Sequence, residues 1–432
     1  MDYFNYHKGE LHAEGVQLSA LADVIGTPFY CYSSAALVHY FKVFADAVSA
    51  LDATICFAIK ANSNIAVLAT LERLGAGADV VSQGEMQRAL EAGIDPKKII
   101  FSGVGKSRQE LQAALVAGVT RFNVESLSEL EVLSAVADTH GQMAEVSLRV
   151  NPDVDARTHE KIATGRQEDK FGIDLSLARG AYRRARALPG IDVSGVAMHI
   201  GSQLTELDPF RIAYSRMADF VGVLREDGHT IRHLDLGGGL GITYKDEKVP
   251  TPEAYGAMVA ETIGGLGCKL TFEPGRVIAG NAGILLTRVN FMKEGTAKTF
   301  CIVDAAMNDL IRPTLYNAHH DIVRVAEAMD HESLKVMDIV GPICESGDYI
   351  AKNRGMPSVT SGDLLAIRSA GAYGAVMSST YNTRPLIPEV LVEGDEYAVI
   401  RRRFEVADML ALERLPPWLS GSRISAANVV GK

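Results

Sequence analysis

The chain has 432 residues, with 43 Lys or Arg against 53 Asp or Glu and a formal net charge of −10. That acidity excludes a basic face for nucleic-acid phosphates and a polybasic membrane-surface segment. Apolar residues make up 47 %, enough for a large core, so wholesale disorder is excluded and the length suggests two domains.

The N-terminal MDYFNYHKGELHAEG is polar and lacks a basic-then-apolar leader pattern. No apolar run reaches the ~18–20 residues of a membrane span. The cysteines (Cys31, Cys56, Cys268, Cys301, Cys344) are scattered and form no CxxC pair. Neither a disulfide framework nor a cysteine zinc site is expected, and a reduced cytoplasm is the simplest setting. TPFYCYS (27–33) reads as a strand that precedes the main pattern and joins a later domain.

From residue 54 a pattern repeats. TICFAIKA (54–61), GADVVS (77–82), IIFSG (99–103), RFNVES (121–126), EVSLRVN (145–151), VSGVAMHIGS (193–202), HLDLGGG (233–239) and KLTFEPG (269–275) read as strands. Stretches with helical spacing, several ending in Gly, lie between them. About eight such units in ~220–250 residues predict a (β/α)8 barrel rather than an open sheet. Lys60, Ser82, Glu125, Asn151, His199, Gly239 and Glu273 fall at strand C-terminal ends, which in a barrel share one rim. After about residue 280, ILLTRVNFMKE, KTFCIVDA, LKVMDIVGPIC, DLLAIRSAGAYG and YAVIRRR alternate without regular helices and predict an antiparallel, sandwich-like β domain. FEVADMLALE (404–413) reads as a short terminal helix. The expected division is 1–33 joining the β domain, a barrel over 34–279, and the β domain over 280–432.

Several residues can carry chemistry. Lys60 ends an apolar strand, where desolvation lowers the pKa of an amine; it reads as a Schiff-base lysine or as a lysine snorkelling from a strand end. DLGGGLG (235–241) suits an anion-binding nest or a plain turn, and lacks the spacing of a dinucleotide site or a P-loop. In EPGR (273–276), Arg276 can clamp a carboxylate or phosphate and Glu273 can hold a ring N–H; a turn with a surface ion pair fits equally. His199 can stack on a flat cofactor, exchange protons or fill the core, and Ser202 can meet a phosphate or cap a turn. Arg312, Tyr316, Cys344, Glu345 and Tyr373 lie among Gly and Pro turn residues, as ligand contacts or as ordinary loop positions. His319 and His320 lack further ligands at metal spacing, so no metal is expected.

FAIKANSN, DVVSQGE, HIGSQ, DLGGGLG, EPGR, CESGD and GAYGAVMSSTYN occur in an order that resembles the diaminopimelate decarboxylases. These are pyridoxal 5'-phosphate (PLP) enzymes of the alanine-racemase-like fold, which also includes ornithine and arginine decarboxylases. The resemblance spans nearly the whole chain, and THEKIATGRQEDKFGI (158–173) is similar to the family's mid-barrel loop. It implies decarboxylation of meso-2,6-diaminopimelate to L-lysine and CO2, the last step of lysine biosynthesis by that route. Another basic amino-acid decarboxylase of the same fold, acting on ornithine, arginine or carboxynorspermidine, is the alternative.

The resemblance also implies roles. Lys60 holds PLP and His199 stacks on its ring. Ser202, Gly238, Gly239, Gly275 and Arg276 surround its phosphate, and Glu273 faces the pyridine nitrogen. Arg276, Arg312, Tyr316, Glu345 and Tyr373 bind substrate, with Tyr373 shared with the phosphate. Cys344 is the proton donor. Cys344 and Glu345 reach the neighbouring subunit's site, which implies a homodimer with shared active sites.

Overall fold

The computed structural model describes residues 3–419 except 157, 163, 166, 167, 330 and 331. Of the stretch 158–173 singled out above, 163, 166 and 167 therefore lie outside the described residues.

Eight short strands form the barrel: Ala53–Ala58, Gly77–Val80, Ile99–Phe101, Arg121–Val124, Ala144–Asn151, Ile191–Ala197, His233–Asp235 and Lys269–Phe272. Each pairs in parallel with the next, and the eighth pairs with the first, Leu270 opposite Ala53. The strands are rich in buried Val, Ile, Phe and Ala because helices cover their outer face while side chains fill the inside.

Serines between the strands and the following helices begin those helices. Ser82, Ser107 and Ser126 accept from the N–H of Glu85, Glu110 and Glu129, satisfying a donor that a helix start leaves free. Ser82 is thus a helix cap, although its strand-end place also suited chemistry. The eighth strand is followed only by the short helix Arg276–Ala279. The ring of helices is completed from the other end of the unit: Ser34–Ala47, which precedes the first strand, packs against Pro252–Ile263 and Ile65–Glu72. Its Phe44 meets Tyr255 and Phe272 at 6.1 and 5.8 Å between ring centroids.

The second sheet is built on the long strand Gly283–Glu294, which pairs antiparallel with Thr299–Val303, Leu364–Ile367 and Phe29–Ser33. The early strand thus sits inside this sheet, between Gly283–Glu294 and Glu389–Glu393. The sheet is mixed rather than wholly antiparallel. Glu389–Glu393 runs parallel to Phe29–Ser33, and Thr299–Val303 parallel to Leu334–Val340. Alternating hydrophobicity reports which face of a strand is buried and carries no information on its direction. The terminal helix is shorter than its pattern, Val406–Leu410. A separate three-stranded sheet, Phe4–His7, Glu10–Ala13 and Val16–Gln17, lies at the N-terminus.

Buried Glu389 joins the two sheets' surroundings. Its carboxylate accepts from Tyr32 Oη at 2.5 Å and from Asn64 Nδ2 at 3.0 Å, and pairs with Arg401 at 3.0 Å. Asn64 also caps the helix that follows the first barrel strand. Removing the carboxylate strands two buried polar groups. Glu389→Ala is therefore expected to destabilise the protein by about 1–3 kcal/mol, seen as a lower urea midpoint. A midpoint equal to the parent's would show that this junction adds no stability.

Candidate active site

One cavity opens at the C-terminal rim of the barrel. It is lined by Lys60, His199, Ser202, Gly237, Gly238, Gly239, Glu273, Gly275, Arg276 and Tyr373, among others. Every cofactor-contact residue expected from the sequence is in this lining.

Lys60 lies in a single turn, Ile59–Ala61, directly after the first strand. Its side chain keeps 37 % exposure, and its Nζ donates to Asp79 Oδ2 at 2.6 Å. Asp79 lies next to the end of the second strand; it is fully buried, and its other oxygen has no partner among the described residues. Burial alone lowers the pKa of this amine, as expected above. The acidic groups facing it, Asp79 first, outweigh burial, so the net shift is upward and Lys60 is held as an ammonium. The sequence reading missed this because it saw the apolar strand and not the acids facing it. Two bonds from the second domain brace the turn: Tyr373 N–H donates to Ala61 O at 2.7 Å, and Asn62 Nδ2 donates to Gly371 O at 3.0 Å.

His199 follows the sixth strand. Its Nδ1 accepts from Gly238 N–H at 3.2 Å, so the ring proton is on Nε2. Burial, with Arg149 and Lys60 adding to it, pushes its pKa well down and leaves a flat neutral ring. The glycines beside it are required. A Cβ at Gly238 would come within 2.2 Å of Glu273 O, and one at Gly239, where φ is +117°, within 2.5 Å of Gly201 O. A Cβ at Gly275 would meet Ala61 Cβ at 2.9 Å, against the lysine's own turn.

Glu273 accepts from Asn123 Nδ2 at 3.3 Å and Ser102 Oγ at 3.4 Å. Asn123 Nδ2 also donates to Asp235 Oδ2 at 2.8 Å, and Gly237 N–H donates to Asp235 Oδ1. Burial, then the neighbouring Asp235 and Asp79, hold the Glu273 pKa well above the usual carboxylate range. Asp235 has the better donors, so the proton shared by this pair resides on Glu273.

Arg276 donates to Tyr244 Oη at 2.6 Å and Ser202 Oγ at 3.1 Å, and its guanidinium lies 4.7 Å from the Tyr373 ring centre. Its Nε is buried without a partner. Tyr373 holds a backbone φ of +56°, unusual for a bulky residue, which sets its ring against Arg276. Arg312 and Tyr316 form a short helix rather than a loop, Arg312–Tyr316. The Arg312 guanidinium lies 4.6 Å from the Tyr244 ring centre, and Tyr316 stands edge-on to His159 at 5.7 Å.

Cys344 and Glu345 are not brought into this cavity. Both are exposed; Cys344 N–H donates to Asn382 Oδ1 at 2.9 Å, and Glu345 faces the Tyr381 phenol. Asp79, Ser102, Asn123, Asp235 and Tyr244 escaped the sequence reading as site residues. Asp79 and Asp235 had a legible signal, a carboxylate inside an otherwise apolar strand, which burial allows only with a partner.

An amine at a barrel rim, a glycine-walled cradle, an orphaned guanidinium nitrogen and a carboxyl that holds a proton together fit PLP, with its aldehyde, phosphate and ring nitrogen. Fold and site thus define a pyridoxal-dependent barrel enzyme. The pyridoxal-binding domain of the pyridoxal-dependent decarboxylases matches residues 35–280. Diaminopimelate decarboxylase of Pseudomonas aeruginosa is 52 % identical over 96 % of this chain and 100 % of its own, and that of Vibrio cholerae is 49 % identical with the same coverage. The Helicobacter pylori diaminopimelate decarboxylase, solved with L-lysine, is 39 % identical with a TM-score of 0.88, covering 92 % of this chain and 99 % of that one. The chain belongs to the diaminopimelate decarboxylase family.

A protonated Glu273 has a consequence for stability. In the unfolded chain it ionises above about pH 4.3, whereas the folded protein keeps the proton. The folded state therefore binds more protons across that window, and the stability this group contributes falls as pH rises. Glu273→Gln removes the effect. In cofactor-free protein the variant should gain thermal stability over the parent at pH 8 and gain less at pH 5. An equal change at both would refute the assignment.

Proposed function

We propose that this protein converts meso-2,6-diaminopimelate to L-lysine and CO2 with PLP, the closing step of lysine formation by that route. The observation that carries the reading is Lys60 at the mouth of a glycine-walled cavity, in a chain about half identical to diaminopimelate decarboxylases over nearly its full length. Five unpaired cysteines fit a reducing, cytoplasmic setting, and no described helix is long and apolar enough to cross a membrane.

Bound PLP supplies an electron sink for the pair released when CO2 departs. Lys60 Nζ would hold the cofactor through its aldehyde, and Asp79 Oδ2 at 2.6 Å is placed to take the proton that the ammonium carries. His199, neutral and flat, supports the cofactor ring. Ser202, Gly238, Gly239, Gly275 and Arg276 receive the phosphate. Glu273 would face the ring nitrogen and, holding a proton of its own, would keep that nitrogen protonated, which deepens the sink; an arginine there would not. Arg276, Arg312, Tyr316 and Tyr373 bind the substrate, whose far end carries both a carboxylate and an ammonium. Glu345 takes the ammonium, and Cys344 delivers the proton that replaces CO2. We assign these last two roles to the partner of a homodimer, because both residues are exposed and lie outside their own chain's cavity.

Borohydride reduction of PLP-loaded protein should fix the cofactor to Lys60, as read by peptide mass spectrometry, and Lys60→Ala should carry no adduct. An adduct at another lysine would reject the role of Lys60. Lys60→Ala and Cys344→Ala chains, each inactive or slowed by about a hundredfold alone, should recover activity when mixed and exchanged. No recovery despite verified exchange would place the whole site within one chain.

A further inference from the structure

Beside the cavity two guanidinium groups are buried together with no carboxylate partner among the described residues. Arg276 bonds to the Tyr244 hydroxyl and Ser202; Arg312 bonds to His320 Nε2 at 3.0 Å. Both lie over the Tyr244 ring, 5.7 and 4.6 Å from its centre, and the Nε of each is buried without a partner among the described residues. These hydrogen-bonding partners are all neutral. Two like charges in a buried place are costly unless an anion joins them, so the fold leaves a net positive charge there for a ligand.

His320 is built to remain neutral. It is fully buried, and its Nδ1 lies 2.9 Å from Arg368 O. A carbonyl oxygen can only accept, so Nδ1 carries the hydrogen and Nε2 offers its lone pair to Arg312. Burial, then the charge of Arg312, pushes its pKa down to about 3, so it stays an acceptor at working pH. Tyr244 stands edge-on against the imidazole at 5.4 Å, tying both arginines to one aromatic post.

We propose that His320 is a positioning residue for substrate choice: it holds Arg312 beside Arg276, oriented and un-neutralised, to receive the carboxylate on the unreacting end of the substrate. This rests on the reading above that Arg312 binds substrate. A carboxylate at this position would anchor Arg312 equally well but cancel its charge. A histidine locked in one tautomer anchors it and leaves the charge available.

The test compares two ligands of the holoenzyme, L-lysine and 1,5-diaminopentane, which is L-lysine without its carboxylate. Their Kd values are read from the change in cofactor absorbance, alongside KM and kcat for meso-diaminopimelate. His320→Leu is expected to raise the KM and the L-lysine Kd by about tenfold, with a smaller loss in kcat and a smaller change for 1,5-diaminopentane. His320→Gln, whose amide offers one N–H and one C=O in the same order, should restore most of the discrimination. His320→Asn, polar but too short to span both partners, takes the place of the leucine variant should that one not fold. Equal weakening of both ligands, or unchanged discrimination, would overturn the proposal. Arg312→Leu separates the two levels. If it abolishes discrimination and the His320 variants do not, the positioning role alone falls. If Arg312→Leu leaves discrimination intact, the substrate role of Arg312 falls and the proposal with it.

Discussion

Parallel strands closed into a ring must all point their C-terminal ends the same way, and the site depends on that constraint. Lys60 follows the first strand, Asp79 lies near the end of the second, Ser102 follows the third, Asn123 lies in the fourth, His199 follows the sixth, and Gly238 and Glu273 follow the seventh and eighth. Residues as far apart as Ser102 and Glu273 thereby come within hydrogen-bonding reach. Closure between Lys269–Phe272 and Ala53–Ala58 matters most locally, because it sets Gly275 against Ala61 and Glu273 among the charges around Lys60.

Two charge systems divide the pocket's work. Around Lys60 sit three buried carboxyl groups, Asp79, Asp235 and Glu273, and one amine. With that excess of acid, the amine stays protonated and one carboxyl keeps its proton. Around Arg276 and Arg312 the balance is reversed: two cations are held by hydroxyls, an imidazole and aromatic faces. Low-dielectric surroundings strengthen the buried members of both systems.

The second domain is part of the site's framework. Tyr373, held at a positive φ, bonds through its N–H to the residue after Lys60, and Asn62 reaches Gly371 from the other side. Strain of this kind persists only where the surroundings over-determine the conformation. Here barrel and sheet both hold it. Because Phe29–Ser33 is laid down between two strands from the far end of the chain, the barrel is flanked on both sides in sequence by the sheet that braces its lysine.

Much of this was legible in the sequence. Eight apolar runs ending in polar or glycine residues specified a barrel, and the same strand ends named the lysine, histidine, glycines, Glu273 and Arg276, because period and turn chemistry are local properties. The direction of strands in the second sheet was not legible, since side-chain alternation is blind to it. The helix that completes the ring from before the first strand was equally hidden. The protonation of Lys60 was misread from its strand alone, and the neutral support of Arg312 by His320 went unseen. Composition and pattern thus determined which groups the chain possesses and which rim they occupy. Only the tertiary structure decided their charge states and partners, because electrostatic energies depend on distance and burial between residues that the sequence leaves far apart.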